Sequence, residues 1–173
     1  PYAQSWVDEW HRTQVSEHSY YCSSFKFKKS LVAEKESSAY NLHVADKMWL
    51  NKSFKNTILQ KIARCDMDSK RYVYSDLGFI LLQQVVEAIV KLPMDLYLAK
   101  EFYAPMGLQR TMYLPLLRYS KQEIMPTAAN DFLRRQDLCG YVHDETAACM
   151  GGISGNAGLF STATEVAKIY QMM

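Results

Sequence analysis

Apolar residues recur with a helical period in three stretches of the chain. They return every three or four positions over residues 54–64, 75–91 and 163–170, and each stretch predicts an amphipathic helix. The second helix starts at Ser75 or Asp76, since either side chain can serve as the N-cap. Its predicted buried stripe consists of Leu77, Ile80, Leu81, Val85, Ile89 and Val90.

Other signals are weaker. Trp6, Val7 and Trp10 have the spacing of one face of a short helix. Residues 20–29 alternate apolar and basic side chains, which weakly predicts a strand. A second short strand is predicted from Thr111 to Leu114. The predicted fold class is therefore mainly α, with at most a few short strands.

Caps and prolines mark further helix boundaries in the second part of the chain. Pro93 suits the first turn of a helix that ends near Tyr103. Thr162 and Glu165 have the spacing of a capping box at the start of the last helix.

Glycine and proline divide the chain into two kinds of sequence. All seven glycines and four of the five prolines follow residue 77, and Pro1 is the single exception. The net charge of +2 gives no drive toward nucleic acid or an anionic membrane. No apolar stretch reaches the ~18 residues that a membrane span needs. The chain opens on Pro1 without Met or a signal peptide, which we expect of a processed or excised piece.

The cysteines do not define a metal site. Cys22, Cys65, Cys139 and Cys149 lack the spacing of zinc ligands. Buried or free thiols are one interpretation and one or two disulfides the other, so the disulfide state stays open. No metal and no cofactor is predicted.

Four segments carry the functional signal: YVYSDLGF at residues 72–79, APMGL at 104–108, VHDE at 142–145 and GGISGNAGLFSTA at 151–163. In this order they resemble the serine beta-lactamase and penicillin-binding protein superfamily, closest to its class C-like serine hydrolases. Some members of the similar envelope variety are fused behind a family 3 glycoside hydrolase. The resemblance covers residues 71–173. Residues 5–70 match poorly, so residues 1–70 are predicted to be a lineage-specific insertion, helical with a possible short strand.

The resemblance implies the helical portion of that family's α/β fold, in the periplasm or cell envelope. Such enzymes cleave amide, peptide or ester bonds through an acyl-serine. Tyr74 takes the place of their proton relay and Asp76 that of the group supporting the lysine. Ser75, Gly152 and Asn156 take substrate-binding positions. A phenol with a pKa of about 10 is a poor base unless cations favour the phenolate.

Two of the family's three catalytic motifs are missing. Ser23 to Lys26 matches Ser-x-x-Lys, but about one such match arises by chance among 14 serines and 13 lysines. Its strand-like surroundings also differ from the family's buried helix. The nucleophile is therefore expected upstream, because Pro1-Tyr2 resembles the segment that follows it. The Lys/His-x-Gly motif is absent too, so the isolated chain is expected to be inactive.

Several alternatives stay open. Residues 143–145 (His-Asp-Glu) suit a loop-fixing role better than a metal or acid–base site, and the loop at 151–158 either lines the substrate cleft or is structural. If it is a hydrolase, the full-length protein is expected to act on a small molecule or a peptidoglycan peptide. Otherwise it is a non-catalytic envelope binding or spacer module attached to a beta-N-acetylglucosaminidase. A dimer that covers an exposed helical face is a further expectation.

Overall fold

The computed structural model describes residues 7–16, 20–65, 72 and 74–173. Their strands are β1 (Val7–Gln14), β2 (Tyr20–Phe27), β3 (Val32–Ala33), β4 (Tyr40–Ala45), β5 (Met48–Asn51), β6 (Pro126–Asp131) and β7 (Gln136–Cys139). Their helices are α1 (Phe54–Ala63), α2 (Asp76–Val90), α3 (Met94–Leu98) with a π-helical turn (Ala99–Tyr103), α4 (Glu145–Cys149) and α5 (Ala163–Met172). Short 3₁₀ turns lie at Pro115–Leu117 and Lys121–Glu123.

The described strands form three small antiparallel sheets: β1 with β2, β3–β5–β4, and β6 with β7. The mainly-α prediction is therefore wrong, and the fold is mixed α and β. Pairing explains the largest error. Val7 and Trp10 lie in β1, which pairs with β2 through backbone hydrogen bonds. The helical spacing of Trp6, Val7 and Trp10 therefore gave a wrong prediction. Trp6 lies outside the described residues.

Most of the other predicted helices and strands are confirmed, and one predicted strand is not. The weak strand signal at residues 20–29 is confirmed by β2, and α1, α2 and α5 lie where periodicity placed them. The predicted strand from Thr111 to Leu114 is reduced to one isolated bridge between Met112 and Phe160.

One apolar core joins residues from both parts of the chain. It includes β4, β5 and α1 from the first part, and the β6–β7 hairpin and α4 from the second. Its buried members are Val44, Ala45, Met48, Leu50, Phe54, Ile58, Ile62, Ile80, Leu133, Leu138, Val142, Ala147, Ala148, Cys149 and Met150. Sequence on both sides of the glycine boundary therefore shares this core. The insertion at residues 1–70 stays a prediction.

Helix α2 turns a different face inward from the one predicted. Of its predicted stripe only Ile80 is buried, whereas Leu81, Val85 and Ile89 are exposed. The other buried residue is Gln83, with 2% of its surface exposed. The predicted stripe was wrong because the side of α2 that carries Gln83 packs against the backbone of residues 153–155. The polar groups of that backbone need a polar partner.

Within the described residues, no single helix meets the length and hydropathy requirements of a membrane span. Helix α2 meets them only when combined with residues 94–103, to which it is bent by 70°.

Candidate functional site

Helix α2 begins with a capped turn that fixes the three residues of the YSD motif. Ser75 has an extended backbone, and its Oγ accepts a hydrogen bond from the Leu77 N–H at 3.3 Å. Of the two N-caps that the sequence allowed, the structure therefore selects Ser75. Asp76 becomes the first helical residue, where the helix dipole favours a carboxylate.

Tyr74 and Asp76 form a hydrogen-bonded pair at this helix start. The Tyr74 hydroxyl donates to Asp76 Oδ1 at 3.1 Å, and the tyrosine is 68% exposed. The hydrogen bond to Asp76 and the negative charge of that carboxylate raise the pKa of Tyr74. In the described surroundings the phenol therefore holds its proton and faces solvent.

The glycine-rich loop, residues 151–158, lies against the same helix. A Cβ on Gly155 would overlap the backbone carbonyl of Phe79, so the loop backbone directly touches the first turns of α2. Gly158 has a φ of +109°, and a Cβ there would overlap the Gly152 carbonyl. Phe79 also places its ring centroid 6.1 Å from that of Tyr74. One residue of α2 thus contacts both the loop and the tyrosine.

Gln83 attaches this loop to α2 through its buried side-chain amide. Its Oε1 accepts from the Gly155 N–H at 3.1 Å, and its Nε2 lies 3.3 Å from the Ile153 carbonyl that it donates to. Gln83 was not among the residues predicted to be buried, because the predicted stripe of α2 consisted of apolar side chains only. The available signal was its spacing of three from Ile80, on one helical face.

Asn156 and Gly152 have structural contacts inside the loop. Asn156 donates through Nδ2 to Asp144 Oδ1 at 3.1 Å and accepts from Ser154 Oγ at 2.6 Å. The same Asp144 oxygen caps α4 by accepting from the Ala147 N–H at 2.7 Å. The loop-fixing interpretation of residues 143–145 is therefore confirmed for Asp144. Gly152 is buried. The substrate contacts predicted for Gly152, Asn156 and Ser75 stay predictions.

A second cluster of titratable groups, which the sequence did not reveal, ties β4–β5 to the segment after β7. Tyr141 donates through Oη to Asp46 Oδ1 at 2.9 Å and lies 3.1 Å from His43 Nε2. Lys121 pairs with the other oxygen of Asp46. Burial and the hydrogen bond to Asp46 raise the pKa of Tyr141, which therefore keeps its proton as a structural donor.

The described part of the chain contains no cluster of three or more His, Cys, Asp or Glu residues placed to hold a metal ion. Cys65 is exposed with a free thiol, and the free thiol of Cys139 donates weakly to the Ile124 carbonyl at 3.2 Å.

Curated proteins from two bacteria are similar to this chain over most of its length. A protein of Escherichia coli (strain K12) is 35% identical over 134 residues, which cover 69% of this chain and 31% of the relative. One of Salmonella agona (strain SL483) is 32% identical over 148 residues, covering 77% of this chain and 34% of the relative. Both are named "Putative D-alanyl-D-alanine carboxypeptidase". These similarities are consistent with the serine beta-lactamase and penicillin-binding protein superfamily.

The chain spans about a third of the length of these relatives. No protein-family model matches it, and no solved structure matches it significantly. A match to 77% of the chain is longer than residues 71–173 alone, so it includes part of the first 70 residues.

Proposed function

We propose that this chain supplies part of the active site of a serine hydrolase that cleaves amide, peptide or ester bonds in the cell envelope. The observation that carries the proposal is the exposed Tyr74–Asp76 pair at the capped start of α2, beside the glycine-rich loop. The relatives' names support a peptidase and suggest peptides ending in D-alanyl-D-alanine as the substrate class.

In this mechanism a serine Oγ attacks the substrate carbonyl and its proton leaves through Tyr74. The same proton then reaches the nitrogen or oxygen of the departing group, as the acyl-serine forms and the scissile bond breaks. Water later attacks the ester and restores the serine. The serine, its lysine and the oxyanion donors are expected in parts of the full-length protein outside this chain. The isolated chain is therefore proposed to be inactive.

Asp76 has a specific part in this scheme. Its hydrogen bond and its charge raise the pKa of Tyr74, whereas a proton relay needs that pKa lowered. A lysine ammonium between the two side chains would reverse the effect, because it pairs with the carboxylate and favours the phenolate. We therefore assign Asp76 to holding the lysine rather than to proton transfer.

A second candidate is a non-catalytic envelope binding or spacer module, in which the hydrogen bond between Tyr74 and Asp76 is structural. Without a cation beside it, Tyr74 keeps its proton and Asp76 keeps the phenol as its only described side-chain partner. The two candidates differ in whether the full-length protein forms a covalent acyl-serine.

Labelling with a fluorescent penicillin separates them. The full-length wild type should be labelled, and Tyr74→Phe should be labelled at least ~10²-fold more slowly if the relay is real. Tyr72→Phe is the matched control, since Tyr72 lies two residues away and is 93% exposed. If Tyr74→Phe is labelled at the wild-type rate, Tyr74 is not the proton relay. An unlabelled wild type would support the binding module, and labelling of the isolated chain at Ser23 would refute the missing nucleophile.

A further inference from the structure

The loop at residues 151–158 and helix α2 are joined by a two-point hydrogen bond. Gln83 presents its carbonyl oxygen to the Gly155 N–H and its amide nitrogen to the Ile153 carbonyl, at 3.1 and 3.3 Å. A side-chain amide thus pairs with the loop as a neighbouring backbone would. Since Gln83 is 2% exposed, water does not replace either bond readily.

Glu87 fixes which way this amide points. Gln83 Nε2 donates to Glu87 Oε1 at 3.1 Å, and a carboxylate oxygen accepts only from the amide's nitrogen end. The same Glu87 oxygen accepts from the Met94 N–H at 3.1 Å, at the start of α3. The amide oxygen is therefore held toward Gly155.

Position along α2 gives this contact its consequence. The loop meets α2 at Phe79 through Gly155 and at Gln83 through the amide, within the first two turns after Asp76. Phe79 also contacts the ring of Tyr74. Displacing the loop from Gln83 is therefore expected to change the surroundings of Tyr74 through Phe79.

We propose that Gln83 is a positioning residue of the active site, which sets the glycine-rich loop against the Tyr74–Asp76 pair. This inference rests on the function proposed above. Gln83 touches neither substrate nor reacting atoms. It acts through Gly155 and Ile153, so its loss should slow acylation without removing any catalytic group.

The neighbouring residue offers a matched control. Gln84 lies on the same helix, and its buried Nε2 has no hydrogen-bond partner among the described residues. Gln83→Leu and Gln84→Leu make the same chemical change one position apart. Only the first removes bonds to the loop.

The experiment compares both variants with wild type in the full-length protein. Two quantities are measured: hydrogen exchange of the loop amides and the second-order rate of acylation by the fluorescent penicillin. We expect Gln83→Leu to exchange the Gly155 amide about fivefold faster, since one hydrogen bond is worth about 1 kcal/mol. Its acylation should be 10- to 100-fold slower, as expected for a misplaced site. Gln84→Leu should match wild type in both.

The outcomes distinguish the two proposals. If Gln83→Leu lowers the melting temperature but acylates at the wild-type rate, its role is structural only and the inference is wrong. If wild type is not acylated, the proposed function fails and this inference fails with it. The difference in hydrogen exchange between Gln83→Leu and Gln84→Leu still shows whether Gln83 holds the loop.

Gln83→Glu covers the case in which Gln83→Leu does not fold. Ionised glutamate repels Glu87 and has no hydrogen for the Ile153 carbonyl, whereas protonated glutamic acid has one to donate. Its acylation rate relative to wild type should therefore recover at least severalfold as the pH falls from about 8 to 5. A constant ratio across this range contradicts the inference.

Discussion

Helices α1 and α2 have similar amphipathic sequences but opposite surroundings. Helix α1 places Phe54, Ile58 and Ile62 in the core. Helix α2 contributes Ile80 to that core, buries Gln83 against the glycine-rich loop and leaves Leu82, Val85 and Ile89 exposed. Periodicity thus identifies which residues share a helical face, but not whether apolar side chains or polar backbone groups cover that face.

The difference between the two helices indicates that α1 contributes mainly to the stability of the fold and α2 to the candidate site. The core around α1 is closed by apolar contacts from both parts of the chain. The described surface of α2 carries the candidate site at its start and an open apolar face along its length. Whether a second copy covers that face stays a prediction.

The largest expected effect is a contrast between two isoleucines. Ile58 on α1 is 1% exposed and Ile89 on α2 is 73% exposed. In the isolated chain, Ile58→Ala should lower the free energy of unfolding by about 2–5 kcal/mol through lost burial and a cavity. Ile89→Ala should cost less than about 1 kcal/mol, as at other surface positions. Urea denaturation measures both.

Ile80→Ala is the control for this contrast, because Ile80 is fully buried although it lies on α2. It should behave like Ile58→Ala. Equal costs for Ile58→Ala and Ile89→Ala would show that the two faces are not different in the folded chain.

An effect within the same range is expected at the ion pair beside the core. Asp131 accepts from Arg134 Nε at 3.0 Å and Nη2 at 2.9 Å, and the arginine side chain is fully buried. Burial acts to raise the pKa of Asp131, but hydrogen bonds from Arg134 and its charge outweigh it and hold that pKa below its ordinary value. Asp131→Asn should cost about 3 kcal/mol near neutral pH, because it leaves a buried charge without its anion.

The pH dependence of unfolding tests the sign of this effect. A carboxyl whose folded pKa is lowered stabilises the protein above its unfolded pKa of about 3.9 and loses that contribution as the pH falls. The wild type should therefore lose more unfolding free energy than Asp131→Asn on acidification below about pH 4. Parallel curves for the two proteins would contradict the role of the ion pair.

Local sequence signals predicted the parts of the fold that depend on local interactions. The bounds of α1 and α2, the cap at Ser75 and the Thr162 N-cap follow from periodicity and capping chemistry. At the last cap the sequence suggested a closed capping box. Instead, the Glu165 carboxylate accepts from the backbone N–H groups of Gln109 and Arg110, residues distant in sequence.

The remainder depended on pairing between distant segments. Strand β1 exists through β2, and Gln83 is buried because the loop some seventy residues later needs its amide. In the candidate site, Tyr74 and Asp76 were predicted from a resemblance and lie in contact. The substrate contact of Asn156 stays a prediction, and the hydrogen bond from its amide to Asp144 is one that motif spacing alone does not reveal.

We propose that the start of α2 belongs to a peptidase active site. The most direct measurement is release of D-alanine, by the full-length protein, from a peptide ending in D-alanyl-D-alanine. We predict release by the wild type and by Tyr72→Phe, and a kcat/KM at least ~10²-fold lower for Tyr74→Phe. Release by Tyr74→Phe at the wild-type rate would contradict the claim.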